Sequence, residues 1–237
     1  MAQSRPMKRF WENVTVEEAD NGFRVALDGR PIRTQGGGAQ IVPTRPLAEA
    51  LAEEWRAQGE EVDPKSFILR DLADFAIDKV APAPEDTIAS LLPFAETDTL
   101  CYRADPEEPL FKRQEDMWEP ILTACETRHA IRFERASGVI HRRQPEETLA
   151  RLASHLREQD HFSLAALRTL APLAASIAIA LAALEEGADA GALFAAANCE
   201  EDWQAELWGW DDRARQDRAA RLAAFEAAAH FARLARG

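Results

Sequence analysis

The sequence predicts an α+β protein, a small N-terminal α/β domain with an antiparallel sheet followed by a larger all-helical bundle. Three observations carry this. Apolar residues alternate with a period of two through roughly the first 40 positions. They then recur every three or four residues through nearly all of the rest. A proline pair, Pro82 and Pro84, falls where the composition changes, which divides the chain into residues 1–82 and 83–237.

Val14 and Val16 alternate with polar neighbours, Asp20-Asn21-Gly22 supplies a tight turn, and Phe23, Val25 and Leu27 alternate again. Asp28-Gly29 makes a second turn into a short strand over Pro31-Ile32-Arg33-Thr34. Gly36-Gly37-Gly38 lacks both the P-loop and the Rossmann frame and reads as a flexible hairpin tip leading to Ile41-Val42. Leu47, Leu51 and Trp55, with Ala48 and Ala52 beside them, mark a first helix that stops near Gly59. Phe67 to Val80 carries a second helical stripe.

Beyond the boundary, Glu85–Leu100 and Leu110–Arg128 are helical, with Pro93 and Pro120 expected to kink or divide them. Ile131-Arg132-Phe133 and Val139-Ile140 suggest a brief hairpin, and Pro145 opens a helix bearing Leu149, Leu152 and Leu156. Ser163–Leu184 is apolar nearly all round, as the central helix of a bundle would be. Its membrane-like part is interrupted by Arg168, Thr169, Pro172 and Ser176, which favours burial in a soluble fold over a span. Two more helices are expected over Ala190–Trp208 and Asp212–Leu234.

The 237 residues carry 28 Lys and Arg against 41 Asp and Glu, a formal net charge of −13. That balance argues against nucleic acid as the main partner, because phosphate binding needs an excess of basic side chains. With 46% hydrophobic and 29% charged residues the chain has ordinary globular composition. Cys101, Cys125 and Cys199 show no CxxC spacing, so a reducing compartment is expected and neither a disulfide framework nor a zinc site. The opening residues show no apolar run of the secretory kind and no transit-peptide length.

No GxSxG elbow, HExxH, calcium-loop or kinase pattern is present. His155 and His161 meet at one site only if the chain turns between them and Glu158 or Asp160 joins. Cys101 has no nearby histidine to make its thiolate and reads as core or rim. Two charged stretches remain. Arg128, His129, Arg132, Arg135, Arg142 and Arg143 form a basic segment. Glu200, Glu201, Asp202, Glu206, Asp211 and Asp212 are acidic and interleaved with Trp203, Trp208 and Trp210. The three tryptophans either close the bundle core or form a protein-binding edge, and the residues alone do not choose.

Taken together, the motifs resemble the chaperone family that assembles the F1 part of ATP synthase by acting on its alpha subunit, known from a mitochondrial assembly factor and alphaproteobacterial relatives. The resemblance rests on Lys8-Arg9-Phe10-Trp11, the LDGRPxxT run from Leu27 to Thr34, Val42 to Ala50 and Glu54 to Gly59. It continues through Ala76-Ile77-Asp78, Asp98, the LCYRA run from Leu100 to Ala104, Gln114, Trp118 and Pro120. It then covers Gly138, His141 and Gln144-Pro145, and ends in Glu200 to Gly209. The chain departs from the pattern where relatives often have Met-Pro and then Thr-Arg, and has Phe67-Ile68-Leu69-Arg70-Asp71 instead.

The resemblance implies a small α/β domain followed by an orthogonal helical bundle. It implies a chaperone, not an enzyme, that shields the subunit interface of unassembled alpha subunit until beta subunit replaces it. Neither cofactor nor metal is implied. The same holds for nucleic acid and stable membrane insertion, and the chaperone is expected as a monomer. The family's acidic segment maps onto Glu201, Gln204, Glu206, Trp208 and Asp211 as partner-binding residues, Glu201 first and Glu206 second. The implied setting is the bacterial cytoplasm, with the mitochondrial matrix reserved for eukaryotic relatives. A hydrolase with a cryptic His/carboxylate site and a generic protein-binding scaffold are the competing readings. If Ser163–Leu184 lies at the centre of the bundle, Ile177→Asp buries an unpaired charge and lowers stability by several kcal/mol, on the order of 3–5, in thermal or urea melts.

Overall fold

The fold is that of a computed structural model, which describes residues 7–138 and 142–237. Strands β1 (Val14–Ala19) and β2 (Gly22–Leu27) form the expected antiparallel hairpin, with Val14 opposite Leu27 and Val16 opposite Val25. Asn21, at φ 66°, takes the left-handed corner that asparagine tolerates. Gly22 is required for a different reason: a Cβ there would lie 2.4 Å from the Val42 carbonyl oxygen, on the segment that bridges to Phe23. Asp28 and Gly29, both at positive φ, turn the chain into β3 (Arg30–Pro31), shorter than the strand expected over 31–34. Arg33 instead bridges to Ala39.

Helix α1 (Arg45–Arg56) covers the sheet, capped by the Thr44 hydroxyl and burying Leu47, Ala48, Leu51, Ala52 and Trp55, the stripe read from spacing. After a 3₁₀ turn at Pro64–Ser66, α2 (Ile68–Phe75) runs into a π-helical turn at Ala76–Val80. Two carboxylates fasten this region. Glu54 accepts the backbone N–H groups of Leu69 at 2.7 Å and Arg70 at 2.9 Å, at the first turn of α2. Asp78 accepts the Thr34 hydroxyl and the Gly36 N–H, each at 2.7 Å. The triple-glycine turn is therefore tied by its backbone to the π-helical turn that follows α2.

The larger part comprises α3 (Pro84–Leu91), α4 (Pro93–Glu96), α5 (Pro109–His129), α6 (Glu146–Arg157), α7 (His161–Ala174), α8 (Ile177–Ala182), α9 (Ala190–Ala197), α10 (Cys199–Trp208) and α11 (Asp212–Arg236). Pro93 divides a helical run as expected, but α5 continues through Pro120. Pro120 and Asp116 lie on the exposed side, so the carbonyl that loses its amide donor faces solvent and not the core. The hairpin expected over 131–140 is not the pairing found. β5 (Ala136–Ser137) pairs in parallel with β4 (Tyr102–Arg103), and Val139-Ile140 lies outside the described residues.

The expected single helix over 163–184 is two. Ala175 adopts a left-handed conformation at φ 47°, and Ser176 caps a new helix by accepting the Ile179 N–H. The break is stabilised from a distant segment. Asp98, with no solvent exposure, accepts the Ser176 hydroxyl at 2.9 Å and the N–H groups of Ala178 and Leu100 at 3.0 Å. The helix expected over 190–208 is likewise split, at Asn198, whose side-chain amide donates to the Phe194 carbonyl.

Helix α7 is buried along most of its length and packs against α2, α3, α8 and α11. Helix α11 returns to α1 and α2, and the Thr44 hydroxyl donates to the Leu234 carbonyl. One apolar cluster runs from Trp11 to Ala235. Among the described residues no helix is long and apolar enough to cross a membrane.

Burial pushes the Asp98 carboxyl up to about 6. A carboxyl raised above its unfolded value near 3.9 favours the fold most below that value, and the contribution is lost as pH rises through about 6. The stability of the parent relative to Asp98→Asn, which cannot titrate, should fall by about 2 kcal/mol between pH 4 and pH 7 in paired urea titrations.

Candidate partner-binding site

Helix α10 packs against α5 and α9, and its carboxylates reach polar and basic partners on α5 and α11. Glu201 accepts Arg221 through both carboxylate oxygens, at 2.6 and 2.8 Å, with Arg218 3.7 Å away. Asp202 accepts Arg218 at 2.7 and 2.8 Å. Glu206 meets Arg113 at 2.6 Å, and Glu200 accepts the Gln114 amide at 2.7 Å. The Arg113 guanidinium holds the Glu206 carboxyl below the usual range and also lies 5.7 Å from the Trp203 ring centroid. Asp211 caps α11, accepting the N–H groups of Arg213 and Ala214. The acidic run is thus a latch joining three helices, not a field of free negative charge.

The last turns of α10 are open. Gln204, Leu207 and Trp208 follow the i, i+3, i+4 spacing of one helical face and are all exposed. Trp208 is 78% exposed and Leu207 57%, and no other large apolar side chain among the described residues is as exposed as Trp208. Gly209 at φ 84° ends the helix, so the pair sits at the corner between α10 and α11. Trp203 and Trp210 are half-buried. The core-closing reading of the three tryptophans is therefore overturned for Trp208, because the end of α10 projects beyond the bundle instead of packing on it. Of the residues singled out, Gln204 and Trp208 are exposed, whereas Glu201 pairs with α11, Glu206 pairs with α5 and Asp211 serves as a cap. Leu207 was missed, although its position three residues after Gln204 signals the same face.

Two arginines of the basic stretch are also paired. Arg135 donates to Glu119 and Glu126, and Arg128 meets Glu185. His129 and His155 meet edge to face with ring centroids 5.0 Å apart, but His155 and His161 do not converge. His155 bonds the His129 carbonyl at 3.0 Å, while His161 stacks on Phe162 at 4.3 Å and Asp160 caps α7. Among the described residues no group of three or more His, Cys, Asp or Glu is placed to hold a metal ion. Cys101, Cys125 and Cys199 are buried free thiols, and burial raises Cys125 to about 12.

A family model described as ATP12 chaperone protein matches residues 8–126. The crystal structure of Atp12 from Paracoccus denitrificans is similar with a TM-score of 0.91 and 36% identity, covering 96% of this chain and 98% of that one. A protein of Agrobacterium tumefaciens is similar with a TM-score of 0.89 and 38% identity, over 95% of this chain and 85% of its own. Protein atp12, mitochondrial, of Schizosaccharomyces pombe is 24% identical over 214 residues, 85% of this chain and 74% of that protein.

The geometry reverses the mutational pattern that a buried Trp208 and solvated carboxylates would give. Trp208→Ala should leave stability within about 0.5 kcal/mol of the parent, as exposed positions do. Glu201→Lys, which sets a third cation beside Arg218 and Arg221, should cost about 1 kcal/mol, less in high salt. Thermal melts of the two variants at low and high ionic strength check both.

Proposed function

The chain belongs to the ATP12 chaperone family, and from that premise we propose that it assists assembly of the F1 sector of ATP synthase. In this reading it binds unassembled alpha subunit and shields that subunit's interface until beta subunit replaces it. It acts as a monomer in the bacterial cytoplasm, by binding and not by catalysis, and needs no nucleotide or metal of its own. The observation that carries the site is the Leu207–Trp208 corner. An exposed aromatic on a helix end held by four charged contacts is already in its docking geometry, so little ordering cost is added on binding.

The same geometry suits release. A corner presenting two large apolar side chains is a small footprint, which favours moderate affinity over a permanent seal. A beta subunit offering a larger surface to the same alpha face would displace it. Glu201, Glu206 and Asp211 contribute by holding the corner, and Gln204 lies on the docking face.

Tagged protein should capture newly synthesised F1 alpha subunit and release it when beta subunit is added. Trp208→Ala should weaken capture about 30-fold, the equivalent of about 2 kcal/mol for an aromatic anchor, with its melting temperature unchanged. The charge reversal Glu206→Lys, which breaks the Arg113 contact, should weaken it less. Capture of alpha subunit by Trp208→Ala at parental strength would remove the corner from the interface, and absence of capture by the parent would remove the client.

A further inference from the structure

The sheet has a gap beside Arg24. Strand β2 is bonded to Ile32 at Val25, where the Ile32 N–H donates at 3.0 Å. It is bonded to Val42 at Phe23, where each N–H donates to the other's carbonyl at 2.9 Å. Between those two contacts the chain leaves β2 and passes through the Arg33–Ala39 bridge before it returns. A cavity of about 280 Å³ lies here, its lining drawn from Arg24 and from the looping chain between Pro31 and Ile41. Ile32 and Arg33 occupy the two positions that the LDGRPxxT run leaves open, so the resemblance assigns the cavity no role.

Gln40 carries the unsatisfied chemistry of this lining. It is 1% exposed, its amide nitrogen donates to the Asp74 carboxylate, and its Oε1 has no hydrogen-bond partner among the described residues. Turning the amide over would set that oxygen against the carboxylate, so Asp74 fixes which atom is left as the free acceptor. A buried acceptor without a donor is costly, and each one in a fold calls for a reason. Arg33 is exposed, donates Nη1 to the Gly37 carbonyl at 2.8 Å, and enters no ion pair among the described residues. Arg24 gives Nε and Nη2 to Glu17, so its charge is compensated within the sheet. No described residue of the lining is acidic, and Pro31, Ile32 and Ile41 supply its apolar wall.

One unpaired acceptor and one unpaired cation beside apolar walls ask for a ligand with an N–H donor, an anionic group and a small apolar body. The cavity is small for a ligand pocket and suits a single residue, not a chain passing through. We propose that it binds an α-carboxylate whose α-carbon bears an N–H, the chemistry shared by a polypeptide C terminus and a free amino acid. The carboxylate pairs with Arg33, the N–H donates to Gln40 Oε1, and the ligand's side chain lies against Ile32 and Ile41. Asp74 acts through Gln40 as a positioning residue. The site is independent of the chaperone reading, since none of its residues belongs to the Leu207–Trp208 corner.

The test titrates the isotope-labelled full chain with N-acetyl-glycyl-leucine, its C-terminal amide, free leucine and isocaproate, and follows the Gln40 side-chain amide by NMR. The dipeptide acid should move that signal saturably and bind at least tenfold more tightly than its amide. Isocaproate keeps the carboxylate and the apolar body of leucine but has no N–H, and should bind at least tenfold more weakly than the better of leucine and the dipeptide acid. Arg33→Glu should weaken binding tenfold or more, whereas Arg30→Glu, an exposed change of the same charge outside the lining, should leave it unchanged. Both positions are exposed, and the rest of the spectrum reports an intact fold. Tighter binding of the dipeptide acid than of leucine identifies a polypeptide terminus, and leucine binding at least as tightly identifies a free amino acid; either keeps the site. Equal binding of acid and amide, isocaproate at full strength, an unmoved Gln40 signal, or equal losses from Arg30→Glu and Arg33→Glu would overturn it.

Discussion

A single carboxylate without solvent contact, Asp98, sets the geometry of the helical part. It joins the 3₁₀ turn before β4 to the first turn of α8, binding Ser176 and Ala178, 78 and 80 positions away. A buried carboxyl is costly unless its oxygens are satisfied, and here three donors meet it. Because those donors include the start of a helix, the carboxyl also determines where that helix begins. With α7 ended at Ala174, α8 leaves in a new direction and packs against α5 and α9. Through α9 it positions α10, whose far end carries the exposed tryptophan.

Charge is used in the opposite way at the surface. The carboxylates of α10 are distributed between α5 and α11, and each takes a partner distant in sequence. Individually such exposed pairs contribute little, but several sharing one short helix restrict its orientation together. The helix is therefore held by its carboxylates, which leaves its apolar end free of structural duty.

What the sequence disclosed follows from how local each determinant is. The β1–β2 register and the buried stripe of α1 were legible because alternation, turn chemistry and a Thr cap all lie within a few residues of what they specify. The breaks at Ala175 and Asn198 were not, since neither position carries glycine or proline and the stabilising partners, Asp98 and Arg221, lie on other elements. Pro120 misled in the other direction, because its effect depends on whether the orphaned carbonyl faces solvent. At the candidate site, the residue types were found but their directions were not. Glu201 is paired within the fold while Trp208 is exposed, a difference without a local sign because the two lie on one stripe of α10 at i and i+7.

The three buried thiols give the molecule a set of internal clocks. A cysteine reacts with an alkylating reagent as the exposed thiolate, and here Cys101, Cys125 and Cys199 are covered and burial disfavours ionisation of each. Modification must therefore wait for local opening, and its rate at each position counts how often that part of the fold breathes. Cys101 follows the Asp98 turn, Cys125 the last turns of α5, and Cys199 opens α10, so the last reads how firmly the tryptophan-bearing helix is seated. The native chain thus carries its own reporters of which segment loosens first, with no label engineered into it.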